Sequence, residues 1–121
     1  MTRIAIVGSR DFPDLDMVRR YVERLPPGTV VVSGGAPGPD KVAEDRAKEL
    51  GLATSIHKAD WDHTIPRAKA GPIRNSAVVK DCEALVAFWT GAEQSKGTLD
   101  VIRKAVKAGK PVRIFGPRRK A

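Results

Sequence analysis

The chain carries one cysteine, Cys82, in 121 residues. A lone thiol excludes an internal disulfide and argues against a thiolate zinc site; the residue reads as a small buried hydrophobe. Aromatic residues make up only 5% of the sequence, which argues against the stacking platforms that hold single-stranded nucleic acid. No apolar run approaches the roughly 20 residues of a membrane-spanning helix. The N-terminus lacks the charged-then-apolar pattern of a signal peptide. A cytoplasmic setting without a membrane partner is therefore expected. No group of His, Cys, Asp or Glu has ligand spacing, so neither a metal nor a cofactor is expected. Internal repeats, low-complexity segments and interdomain linkers are also lacking.

What is present suits one globular unit. Hydrophobic residues make up 41% and charged residues 30%, ordinary proportions for a chain long enough to bury a core. Residues 1–116 read as a single domain and 117–121 as a basic tail, Arg118-Arg119-Lys120 following Gly116-Pro117. The net charge of +8 favours anionic partners. Nucleic acid is one of them, though many lysines fall in helices and read as solvated faces.

Strand-like and helix-like patterns alternate almost without a gap. Short apolar runs at residues 3–7, 29–32, 53–57, 84–89 and 111–115 read as strands. Helical spacing marks residues 14–25, 40–50, 73–80 and 95–108, with Asp14 as the expected N-cap of the first and glycine or proline as punctuation. Residues 60–71, holding Trp61, His63, Pro66 and Gly71-Pro72, read as a loop. Buried strands separated by helices imply an α/β fold. The expected form is a Rossmann-like three-layer sandwich with a mainly parallel sheet of about five strands. Ligands of such sheets bind outside the carboxyl ends of the strands.

Three glycine-rich turns fall at those ends: Gly8-Ser9-Arg10, then Ser33-Gly34-Gly35-Ala36-Pro37-Gly38-Pro39-Asp40, then Thr90-Gly91 running to Lys96-Gly97-Thr98. A strand that stops in glycines and turns into a helix presents backbone N–H groups and a positive dipole end to a phosphate. Gly34, Gly35 and Gly38 with Ser33 are thus expected to contact phosphate or ribose. Arg10 can fork onto an anion, or pair with Asp11 or Asp14; Ser9 adds a hydroxyl. Asp40 reads either as an N-cap or as an acceptor for a ribose hydroxyl or base. Arg74 and Asn75, placed at a helix start after Gly71, supply charge and a two-way amide. Gly97 and Thr98 open the last helix and offer further donors. Trp61 is a candidate for stacking on a base, whereas Trp89 reads as a packing residue.

Gly8-Ser9-Arg10-Asp11-Phe12, the Ser33–Asp40 turn, Asp60-Trp61 and Ala70-Gly71-Pro72-Ile73-Arg74-Asn75 together resemble the YspA-like branch of the SLOG superfamily. That superfamily also takes in DprA and the lonely-guy phosphoribohydrolases. The resemblance runs in order along nearly the whole chain and stops before the basic tail. It implies a domain that binds a nucleotide or a nucleotide-derived small molecule as a sensor or processing module. It also implies a homo-oligomer. Phosphoribohydrolase relatives carry Pro-Gly-Gly-x-Gly-Thr-x-x-Glu after the fourth strand. Here Gly97-Thr98 is retained but the glutamate position is Val101, with Asp100 one residue early and about 100° around the helix. Cleavage of the N-glycosidic bond of a nucleoside 5′-monophosphate is the alternative activity, with Asp40, Asp100 and Arg74 as candidate catalytic groups. A DNA-associated role like that of DprA is a third reading.

Overall fold

Alternate side chains of a strand pass to opposite faces of its sheet, and here they divide the core in two. Strand β1 (Arg3–Gly8) sends Ile6 to one face and Ala5 and Val7 to the other; β4 (Ala84–Phe88) sends Val86 and Phe88 one way, Leu85 and Ala87 the other. In the computed structural model, which describes residues 2–59, 67–91 and 96–117, the remaining elements are β2 (Val30–Ser33), β3 (Ala53–Ile56), β5 (Val112–Phe115) and four helices. Helices α1 (Leu15–Glu23) and α2 (Pro39–Glu49) cover the first face through Val18, Val22, Ala43 and Ala47. Helices α3 (Arg67–Asp81) and α4 (Lys96–Lys107) cover the second through Val78, Val79, Val101, Ile102 and Ala105. All five strands are parallel in the order β3-β2-β1-β4-β5. The fold is the expected Rossmann-like sandwich. Among the described residues no helix is long and apolar enough to cross a membrane.

Local signals account for most boundaries. Asp14 caps α1, its carboxylate accepting from the Met17 amide at 3.2 Å. Two expectations are corrected. Helix α3 begins at Arg67, so residues 67–71 are helical rather than loop, and Gly71-Pro72 lies inside the helix. An interior proline costs about 3 kcal/mol. The helix persists because Ala70, Val78, Val79 and Cys82 are buried along one side of it and its end, and tertiary burial outweighs propensity. Asp40 is not the N-cap of α2: that position is Gly38, with Pro39 at the first helical position and Asp40 within the first turn.

At the C-terminal end of α3, Asp81 gathers a polar cluster. Its carboxylate accepts from Arg3 Nε and Nη2 (3.0 and 2.6 Å) and from Ser55 Oγ (2.6 Å), and pairs with His57 Nε2 (2.8 Å). Burial raises its pKa, but the Ser55, His57 and Arg3 contacts outweigh this and hold the carboxyl down at about 2.

Candidate functional site

The sheet order places the turn after β1 and the start of α4, which follows β4, side by side. Between β1 and β4 the chain connections run off in opposite directions, which is where open α/β sheets bind ligands. A cavity of about 440 Å³ lies there.

Its floor is built around Asp40, which is 4% exposed. Oδ1 accepts the Gly8 amide and Oδ2 the Gly34 amide, each at 3.1 Å. Ser33 Oγ donates to the Asp40 carbonyl at 3.1 Å and accepts from the Gly35 amide at 3.1 Å. The amides expected to face a phosphate are therefore turned inward and tie the ends of β1 and β2 to the first turn of α2. Glycine is obligatory at position 8, where a Cβ would come within 2.5 Å of Pro39 and 2.6 Å of the Phe88 carbonyl. Burial pushes the Asp40 carboxyl up to about 6, against the pull of the Arg74 charge and of the Gly34, Gly8 and Ala36 amides.

One wall is a run of hydrogen bonds across α3 and α4. Arg74 Nη1 donates to the Gly34 carbonyl at 2.7 Å and Nε to Asn75 Oδ1 at 3.0 Å. Asn75, 7% exposed, donates from Nδ2 to the Gly97 carbonyl (3.1 Å) and to Asp100 Oδ2 (3.0 Å). Lys104 Nζ reaches the same Asp100 oxygen at 2.9 Å and the Pro72 carbonyl at 2.7 Å. Burial raises the Asp100 pKa, yet Asn75, Lys104 and the nearby Arg103 charge bring it below the usual carboxylate value. Arg74 and Asn75 lie in the second and third turns of α3. They act there through the expected guanidinium and side-chain amide, but from inside the helix and not from its start.

The groups left over belong to residues that line the cavity. Ser9 is 2% exposed, and among the described residues its Oγ has no hydrogen-bond partner. A buried hydroxyl without a partner is rare and points to a missing acceptor or donor. Arg10 is exposed at the cavity and forms neither an ion pair nor a hydrogen bond among the described residues, including with Asp11 or Asp14. Arg74 Nη2 is likewise unengaged among them, and Thr98 is 7% exposed at the start of α4.

Of the residues singled out from sequence, Gly8, Ser9, Arg10, Gly34, Asp40, Arg74, Asn75, Gly97 and Thr98 line this one cavity. Ser33, Gly35, Gly38 and Gly71 do not; the first three shape the turn beneath it. Asp100 stands behind the wall, held by Asn75 and Lys104. Trp61 and His63 lie outside the described residues. Trp89 packs against the core on the α3–α4 face, as expected. Sequence reasoning missed Asp11, Ala36, Pro37 and the apolar side of the cavity, Val7, Val78 and Val101. Val7 and Val78 carry only a core signal in the sequence, and Val101 enters it only as the place of the phosphoribohydrolase glutamate.

Residues 2–63 match the model of a family described as YspA, cpYpsA-related SLOG. The gene 61 protein of Mycobacterium phage D29 is 36% identical over a 126-residue alignment covering 96% of this chain and 98% of that protein. Two solved structures share the fold. TM1055, a structural genomics target, superposes with a TM-score of 0.67 at 21% identity, over 93% of this chain and 72% of that one. DNA processing protein A (DprA) from Streptococcus pneumoniae gives 0.68 at 21% identity, over 99% of this chain and 51% of that one.

Proposed function

The chain belongs to the YspA, cpYpsA-related SLOG family, and from that premise we propose that its edge cavity binds a nucleotide or nucleotide-derived small molecule, as a sensor or processing module. One observation carries this reading. Among the described residues the buried hydroxyl of Ser9 has no partner, and the guanidinium of Arg10, beside it at the cavity, is uncommitted. A buried donor–acceptor beside a free planar cation suits a phosphate oxygen. The volume of about 440 Å³ lies within the range of small-molecule sites. Phosphate contact rests on Ser9, Arg10, Arg74 and the start of α4, since Asp40 and Ser33 occupy the glycine amides.

Calorimetric titration with the common ribonucleoside mono-, di- and triphosphates, and with the parent nucleosides, tests it. Phosphorylated ligands bind and nucleosides bind more weakly. Arg10→Ala lowers nucleotide affinity about ten- to a hundredfold, the worth of a charged hydrogen bond. Absence of binding by every nucleotide, or affinity indifferent to Arg10→Ala and Ser9→Ala together, overturns it.

Cleavage of an N-glycosidic bond is a second reading, favoured by the Asp40 carboxyl, which lines the cavity and titrates at about 6. A carboxyl poised near neutrality suits general acid–base work. Free base released from a nucleoside monophosphate, and abolished by Asp40→Asn, is its signature.

A further inference from the structure

A second cavity, of about 460 Å³, opens between α1 and the edge strand β5, away from the site described above. Its floor is aromatic and its rim cationic. Tyr21 and Phe115 form the floor, and Arg20, Arg24 and Arg113 stand around it. Among the described residues no carboxylate lines it. Arg24 and Arg113 make no ion pair among the described residues, and Arg20 only donates Nε to its own helix, to the Asp16 carbonyl at 3.3 Å. Three guanidiniums without counter-charges favour an anionic occupant.

The rings decide which kind. Phe115 stacks on Phe88 with centroids 5.3 Å apart, and the Arg113 guanidinium lies over it at 5.5 Å. Its faces are therefore taken, whereas single-stranded nucleic acid needs open ring faces for its bases. The strand itself offers something else. Among the described residues β5 pairs only with β4, so its outer edge has unpaired ladder groups, a template for an added strand. A strand laid there sends alternate side chains to opposite faces. One set faces the arginine rim beside Arg113; the other lies beside Ile114, 48% exposed on the opposite face.

We propose that β5 and α1 together dock an extended segment of a partner protein in which acidic and apolar residues alternate. The acidic residues engage Arg20, Arg24 and Arg113, the apolar ones cover Ile114, and the backbone continues the sheet.

The probe is a capped hexapeptide alternating Glu and Leu, titrated into the isotopically labelled full chain and followed by amide chemical shifts. A Lys–Leu hexapeptide and hexathymidylate serve as controls. The Glu–Leu peptide shifts residues 112–115 and the second half of α1, and raising the salt to about 0.5 M weakens it, as screening of exposed charges requires. The double variant Arg24→Glu/Arg113→Glu loses at least tenfold in affinity. Both residues are exposed, so its fold persists, and its unchanged circular dichroism verifies this. Ile114→Asp weakens binding independently of the charges. No shift with the Glu–Leu peptide, equal binding of the Lys–Leu peptide, or preferential binding of hexathymidylate at β5 overturns the proposal.

Discussion

Asp40 and Arg74 grip the same residue, Gly34, by its two backbone groups. The carboxylate of Asp40 accepts the Gly34 amide at 3.1 Å, and the guanidinium of Arg74 donates to the Gly34 carbonyl at 2.7 Å. The turn after β2 is thus positioned by two side chains of opposite charge, one from α2 and one from α3. The cavity inherits its shape from that clamp.

Removing half of the clamp should be costly. Asp40→Asn keeps one acceptor but sets an NH2 group against an amide of Gly8 or Gly34, leaving a buried donor unmatched. Such a group costs about 1–3 kcal/mol. Urea denaturation at pH 7 should show a loss of that size with an unchanged slope.

Stability should depend on pH in two separate windows. Asp40 titrates at about 6 in the folded chain, above its ordinary 3.8. The unfolded chain therefore releases that proton first, and this contribution is full below pH 4 and is lost as pH rises through 6. Asp81 has the opposite sign. Its folded value of about 2 lies below 3.8, so its contribution is full above pH 4 and is lost as pH falls toward 2. Melting temperature measured from pH 2 to 8 should show both limbs. Asp40→Asn flattens the upper limb and Asp81→Asn the lower one.

Ser9→Ala should separate stability from binding. Deleting a buried hydroxyl that lacks a partner removes a desolvation penalty of about 1–3 kcal/mol, so the ligand-free variant melts no lower than the parent, and higher if the penalty is large. Nucleotide affinity falls in the same variant. A variant that melts lower without ligand contradicts the assignment of Ser9 as a waiting contact.

Asn75→Ala should loosen the seam between α3 and α4. It leaves the Gly97 carbonyl without its side-chain donor and Asp100 with Lys104 alone. A loss of about 1–3 kcal/mol is expected. Hydrogen exchange should quicken first in the opening turn of α4.

The sheet and its four covering helices were legible because burial on both faces writes continuous apolar runs such as Val30-Val31-Val32, and amphipathic helices write spacing such as Val18 and Val22. The turns were legible as glycine clusters, and seven of the residues chosen from them meet at one cavity with Arg74 and Asn75 of α3. The direction of their amides was not. Asp40 takes one from a residue 32 positions away, and nothing in the local sequence distinguishes an acidic residue aimed at a backbone from one aimed at a ligand. The start of α3 was hidden for a related reason: Gly71-Pro72 signals a break, and only packing of Ala70 and Val78 against the rest of the fold overrides it.

The central place of β1 has a consequence for the order in which the chain becomes safe from aggregation. Its first strand lies between β2, which emerges soon after, and β4, which ends at Phe88. Until that distant partner arrives, a nascent chain bears Ile4, Ala5 and Ile6 on a bare hydrogen-bonding edge, the kind of surface that recruits strangers. A fragment halted after β3 would keep that edge permanently, so the first half of this molecule depends on its second half for solubility as well as for shape.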